Sequence, residues 1–306
     1  MKHKLIFFLI CFLLSTFVSA QVRYTIVPDN PRPGEPVTIA VDSAAKEAFL
    51  FVNGRQLAKT NFFPVFAEDG KPGFMAAILT IPSTSAFGNA IIRVDNERGV
   101  ICEIPFTIHP RTFASETIQL NPVLTGIRTD ASPQRVEESN RLWGILTTTG
   151  NRVYHTGPFI PPVTSTRRTS VFGGRRVFEY SDGRSDMSIH AGVDFGVPTG
   201  TQVVACGAGR VVLAAMRIVT GNSVIIEHGP GIYSLYYHLD SINVQEGDIV
   251  EKGAVIGLSG STGLSTGPHL HWEIRVNSEN TDPDAFVDRP IIDKDLIISR
   301  IYSMSQ

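Results

Sequence analysis

"GPHLHWEI", residues 267–274, sets two histidines one residue apart in a chain that has only eight. Read as a β-strand, the run points His269 and His271 to the same face, because strand side chains alternate with a period of two. Two imidazoles then share one small volume. An exposed strand with a polar face produces the same H-x-H, so the surrounding sequence has to decide. It is of one kind. "TQVVACGAGRVVLAAM" (201–216), "NSVIIEHG" (222–229), "IYSLYYHL" (232–239), "AVIGLSG" (254–260) and "HLHWEIRV" (269–276) are β-rich runs separated by glycine turns. No helical period interrupts them, so the chain from about Thr169 onward is expected to be all-β.

Further upstream the texture repeats without the histidines. "RYTIV", "EPVTIAV", "AFLFV", "FMAAILTI", "NAIIRV" and "VICEIPFTI" read as short strands, and Asn53-Gly54 is a strong hairpin signal. Cys102, Ile104, Phe106 and Ile108 share one face of the last run. This pattern predicts an immunoglobulin-like β-sandwich over 21–110, a spacer or binding module that gathers no titratable cluster. Between them, 111–165 reads as a linker with one helix, "SPQRVEESNRLWGILTTTG" (132–150). Ser132 is its N-cap, Pro133 takes the first turn and Gly150 lies just past its end. Val136, Leu142, Trp143 and Leu146 are its candidate buried stripe. "TGPFIPPVTS" (156–165) follows as an extended connector, since its prolines exclude helix.

The whole chain is mainly β, and its 306 residues suffice for about two domains with cores of their own. A net charge of -2 gives no reason to expect nucleic acid, which usually selects basic surfaces. At the N-terminus, "MKHK", the apolar "LIFFLICFLL" and the small-residue end "STFVSA" make residues 1–20 a secretory signal peptide cleaved before Gln21. The competing reading, an uncleaved membrane anchor, has a short apolar run for spanning a bilayer. Export permits a disulfide, yet Cys102 and Cys206 fall in different domains and read as small core residues.

Seven histidines remain beyond residue 20, and five of them lie between 190 and 271. In "HAGVDFG", His190 and Asp194 offer a nitrogen and an oxygen suited to Zn²⁺, which at catalytic sites takes three protein ligands and keeps a position open. His269 or His271 can supply the third. Taken alone, His238 and His228 read as hydrogen-bonded structural histidines, and His155 and His109 receive no chemistry.

These pieces, in order, resemble a known family. "FGGRR", "HAGVDF", "GTQVVACGAGRVV", "GNSVIIEHGPGIYSLYYHL", "VQEGDIVEKGAVIGLSGSTGLSTGPHLHWEI" and "DPDAF" make 171–286, within a domain placed at 166–306, similar to the catalytic domain of the lysostaphin/LytM-type zinc endopeptidases. The resemblance implies a secreted or periplasmic zinc enzyme that cuts peptide bonds in bacterial peptidoglycan. It implies His190, Asp194 and His271 as metal ligands and His238 and His269 as the catalytic histidines, without saying which of the two acts as base. Trp272 replaces the family's frequent Phe, and Cys206 a common small residue. Two rivals are weighed against this. A non-catalytic LytM-like regulator of another wall hydrolase typically lacks the ligands, all of which this chain retains. A biotinyl or lipoyl carrier is suggested by "EGDIVEKGAVIG", but Lys252 lacks the setting of a modified lysine.

Overall fold

The computed structural model describes residues 22–66, 72–287 and 289–302. The signal-peptide reading of 1–20 lies outside them. Eight strands come first: β1 (Tyr24–Val27), β2 (Pro36–Val41), β3 (Glu47–Val52), β4 (Arg55–Asn61), β5 (Phe63–Val65), β6 (Phe74–Thr80), β7 (Gly88–Asn96) and β8 (Gly99–Ile108). They make two four-stranded antiparallel sheets, β1-β2-β6-β5 and β4-β3-β7-β8. Strict alternation in "EAFLFV" sends Ala48, Leu50 and Val52 inward, where Val37, Ile39 and Ile92 meet them. Asn53 and Gly54 join β3 to β4 with φ of 51° and 74°, the left-handed pair that a tight hairpin needs. Ile104 and Ile108 are buried, with Cys102 and Phe106 packed against the same core.

The connector holds more structure than its sequence predicts. It contains a strand, β9 (Ser115–Gln119), and two helices, α1 (Pro122–Thr129) and α2 (Pro133–Thr147), in place of one helix. The remaining strands are β10 (Arg168–Ser170), β11 (Arg175–Glu179), β12 (Ser185–Ile189), β13 (Val193–Phe195), β14 (Gln202–Val204), β15 (Gly209–Arg217), β16 (Gly221–Gly229), β17 (Ile232–Ile242), β18 (Ile249–Val250), β19 (Val255–Ser259), β20 (Leu270–Val276) and β21 (Glu279–Thr281). A short 3₁₀ turn, Pro283–Phe286, and helix α3 (Lys294–Tyr302) follow.

β9 pairs in parallel with β11, far along the chain, and forms a small sheet β12-β11-β9. "SETIQ" carries little hydrophobic signal, so this strand exists because of its partner. Helix α1 is capped by Asn121, whose side chain accepts from Leu124 N at 2.9 Å. Helix α2 starts at the expected Ser132–Pro133 but lies on the sheet only through its C-terminal end. Leu146 packs with Leu213, Ile225 and Tyr233, whereas Val136 and Trp143 are 54% and 61% exposed. The expected stripe is thus half solvent-facing. The expectation of no helix after Thr169 also fails: in α3, Ile297 and Ile301 are fully buried beside β1 and β2. That segment is short and rich in isoleucine, which favours strand, and tertiary packing overrides the preference.

The histidine-bearing part is built on the ten-stranded sheet β10-β13-β20-β17-β16-β15-β18, with β19 joining β14 to β17 and β21 at the edge of β20. Its core is continuous with that of the first sheet of the sandwich, since Ala40, Ala76 and Ile78 pack in one cluster with Ile274, Val276 and Ile297. Asn277 Nδ2 donates to Ile78 O at 2.8 Å, and Arg111 pairs with Asp282 at 2.5 Å. The sandwich is docked along β20, β21 and α3.

Candidate functional site

The strand pairings assemble the site. β13 and β20 run antiparallel with Asp194 directly opposite His271, and β17 sets Tyr237 opposite His271 from the other side. Their neighbours Phe195, Leu270 and Trp272 turn to the far face and are buried. Trp272 is therefore a core ring, packed 6.3 Å from Phe195, and not part of the cleft. His190 precedes β13, and its backbone is pinned to the "FGG" turn by His190 N→Gly174 O at 2.8 Å and Gly173 N→His190 O at 2.9 Å. Gly192 lets this segment lie on β20, since a Cβ there would meet Trp272 O at 2.2 Å.

His190 Nε2, Asp194 Oδ1 and His271 Nδ1 converge. They are separated by 3.1 Å (His190–Asp194), 3.0 Å (His190–His271) and 2.7 Å (His271–Asp194). All three residues are buried. Ligands bound at about 2.0–2.1 Å in a tetrahedron stand about 3.3 Å apart, so a small outward shift accommodates a divalent ion, and the N₂O donor set suits zinc. His238 and His269 stand beside them, with ring centroids 4.8 Å apart and His269 Nε2 3.8 Å from Asp194 Oδ1. The structure thus brings together all five residues singled out in the sequence. His238 has a φ of 61°, a conformation that costs a non-glycine residue on the order of 1 kcal/mol, and it lies where β17 bulges against β16, lining the cleft.

Charge is distributed to favour a cation at the point of convergence. Burial opposes a charge on His271, but Asp194 and then Glu273 outweigh it and raise its pKa to about 9. Burial likewise opposes the Asp194 carboxylate, yet His271 and His190 hold it well below its ordinary range. His190 is lowered by burial, and His238 is lowered to about 3 by burial and by the neighbouring His269 and His271.

Five further residues contribute that the sequence does not single out. Glu273 lies 2.9 Å from His271 Nε2, and the strand period of two, extended by one step from His271, would have found it. Arg176 bridges Asp194 Oδ2 at 2.9 Å and Glu116 Oε1 at 2.6 Å. Ile118 of β9, with Arg128 of α1 and Phe178, lines the cleft opposite Leu264 and Thr266. These last residues follow from the β9–β11 pairing, for which the sequence carried no signal. The glycine-rich "GLSGSTGLSTG" segment borders the same cleft, with Gly263 at a φ of 75°. His228 and His155 lie elsewhere, near Phe159, with His155 stacked on that ring at 5.4 Å.

Residues 188–283 match the model of Peptidase family M23. The chain carries an M23 peptidase domain. The M23 match begins two residues before His190 and encloses all five site residues. Over 124 residues this chain is 40% identical to the DD-carboxypeptidase/endopeptidase Mpg of Neisseria meningitidis, a stretch that covers 40% of this chain and 28% of that protein. Over 87 residues it is 47% identical to the peptidoglycan DD-endopeptidase ShyA of Vibrio cholerae, covering 28% of this chain and 20% of that protein. The chain spans less than a third of either relative's length. A solved peptidase M23 structure from Pseudomonas aeruginosa matches with a TM-score of 0.59 at 25% identity, over 84% of this chain and 94% of that one. The likeness therefore runs well beyond the M23 segment into the upstream elements.

Proposed function

We propose that this chain is a zinc-dependent endopeptidase that hydrolyses peptide bonds of bacterial peptidoglycan outside the cytoplasm. The observation that carries the reading is the convergence of His190 Nε2, Asp194 Oδ1 and His271 Nδ1 within 3.1 Å of one another beside two further histidines in an open cleft. When bound there, zinc supplies Lewis acidity, which acidifies water and makes a scissile carbonyl more electrophilic. The chain's own groups do the rest. His238 and His269 each use Nδ1 on a main-chain carbonyl, so each keeps Nε2 for the cleft, where it can take a proton from the attacking water and return one to the leaving amine. A protonated ring at either position also stabilises a developing oxyanion. Tyr237, stacked on His271 at 5.5 Å and 2°, keeps that imidazole from tipping.

The named activities of the relatives supply the substrate class, and the N-terminal residues 1–20, read as a signal peptide, supply the compartment. No helix among the described residues is long and apolar enough to cross a membrane. The proposed layout is a sandwich over 21–110, a connector over 111–165 and the zinc domain over 166–306. The test is digestion of purified peptidoglycan by the mature chain, with the released muropeptides identified by mass spectrometry. Cleavage that stops with a chelator and returns with zinc is the expected result. Intact peptidoglycan after incubation with the zinc-loaded chain would favour the non-catalytic regulator instead.

A further inference from the structure

Three of the four histidines at the site are oriented in one way. His190 Nδ1 faces Val171 O at 2.8 Å, His238 Nδ1 faces Thr262 O at 2.7 Å, and His269 Nδ1 faces Gly267 O at 2.8 Å. A carbonyl accepts only, so each of these rings carries its proton on Nδ1 and offers Nε2 to the cleft. His271 is turned the other way. Its Nδ1 meets Asp194 and His190, and its Nε2 faces Glu273 Oε1 at 2.9 Å. We propose that Glu273 is the positioning residue of the metal centre, doing for His271 what main-chain carbonyls do for the other three. It accepts from Nε2–H and so leaves the Nδ1 lone pair aimed at the ion. The inference rests on reading His190, Asp194 and His271 as the ligands.

The surroundings explain why a side chain has this task. His271 sits inside a strand paired on both sides, so the nearby carbonyls of β13, β20 and β17 are committed to the ladders. The nearest acceptor on its own face is two residues further along the strand. Glu273 cannot swing away, because its other oxygen is held by Arg275 at 2.7 Å and its side chain is only 6% exposed. Asp194 is treated in the same manner, with Oδ2 held by Arg176 at 2.9 Å while Oδ1 faces the centre. Each carboxylate thus gives one oxygen to the site and one to a guanidinium. A carboxylate partner also makes the imidazole a stronger donor than a carbonyl would, and losing such a partner typically costs about 10–100-fold in metal affinity.

Glu273→Gln keeps the shape but offers an amide that can present NH₂ to Nε2, which favours the tautomer whose proton blocks Nδ1. Zinc affinity of the full chain is measured by competition with a chromophoric chelator, with circular dichroism of the chelated protein as a check on folding. The expected loss is about 10–100-fold with the fold retained. In parallel, ¹⁵N-histidine NMR of the zinc-loaded wild type is expected to show His271 metal-bound at Nδ1 and protonated at Nε2, a result that stands even if the variant does not fold. A folded variant within about twofold of wild-type affinity, instead of about 10–100-fold weaker, overturns the proposal, as does zinc on Nε2 of His271. A wild type that binds no zinc would remove the metal-centre reading itself, and this inference with it.

Discussion

Two groups of histidines are built around the same ten-stranded sheet, and they differ in what their nitrogens do. In the first, His228 is fully buried and both ring nitrogens are engaged by protein, Nδ1 with Ala208 O at 2.8 Å and Nε2 with Ser234 Oγ at 2.7 Å. His155 and Phe159 cover it. In the second, His190, His238, His269 and His271 each engage one nitrogen outside the site and turn the other toward a shared space. Burial pushes His228 and His238 alike to about 3. A perturbed histidine therefore does not identify the site here. Convergence of uncommitted nitrogens on an open cleft does, and the closed cluster is a structural element whose hydrogen bonds offset the cost of burying polar groups.

The largest effects are expected from removing a converging nitrogen. His271→Ala should take away a ligand, so zinc per chain and peptidoglycan cleavage should fall together, with the rate down by about a thousandfold or more. Retained zinc with full activity would sink the assignment. His238→Ala and His269→Ala should keep their zinc and lose about a hundredfold in rate, the worth of a proton-transfer or oxyanion group. Zinc content measured beside turnover separates the two cases. A loss of metal in His269→Ala with retention in His271→Ala would exchange the two roles.

The closed cluster should respond in stability instead. His228→Ala strands Ala208 O and leaves Ser234 Oγ with Tyr236 alone, at a cost of about 2 kcal/mol in urea unfolding, while the rate per folded, zinc-loaded molecule stays near wild type. A large loss of rate at unchanged stability would move His228 into the active site. The same ring is also tested by acid. Burial lowers His228 to about 3 when folded, whereas the unfolded chain keeps it near about 6.5. Between those values the unfolded state binds the extra proton, so this contribution is intact above about pH 6.5 and is lost as pH falls, at up to about 1.4 kcal/mol per pH unit. The groups facing the ring are His155, Cys206, Ser234 and Tyr236, of which the Cys206 thiol and the Tyr236 hydroxyl are raised by burial. Comparing His228→Gln with wild type isolates the histidine, and parallel acid curves for the two would refute its share.

Much of the second β-rich half was legible because its signals are local. Alternation in "HLHWEI" and "NSVIIEHG", and glycines at the turns, report strands without reference to a partner. The connector was less legible for the opposite reason. β9 is exposed along nearly its whole length, and its five residues become a strand by pairing with β11 across some sixty positions. Helix α2 has a capping signature that marked its start correctly, but which of its apolar residues are buried depends on where the sheet ends beneath it. Trp143 consequently faces water while Leu146 does not.

Spacing along the chain is enough to put His269 and His271 on one face of a strand, because strand side chains alternate with a period of two, and it offers His190 and Asp194 as ligand types for an ion without fixing their distance. The fold supplied the remainder. It brought His190 to His271 across 81 positions and Asp194 to His271 across 77, chose the nitrogen each ring presents, and set Glu273, Arg275 and Arg176 behind the two carboxylates. A ring's orientation is fixed by the acceptor at its far side, and that acceptor is supplied by the register of paired strands and the loops folded over them.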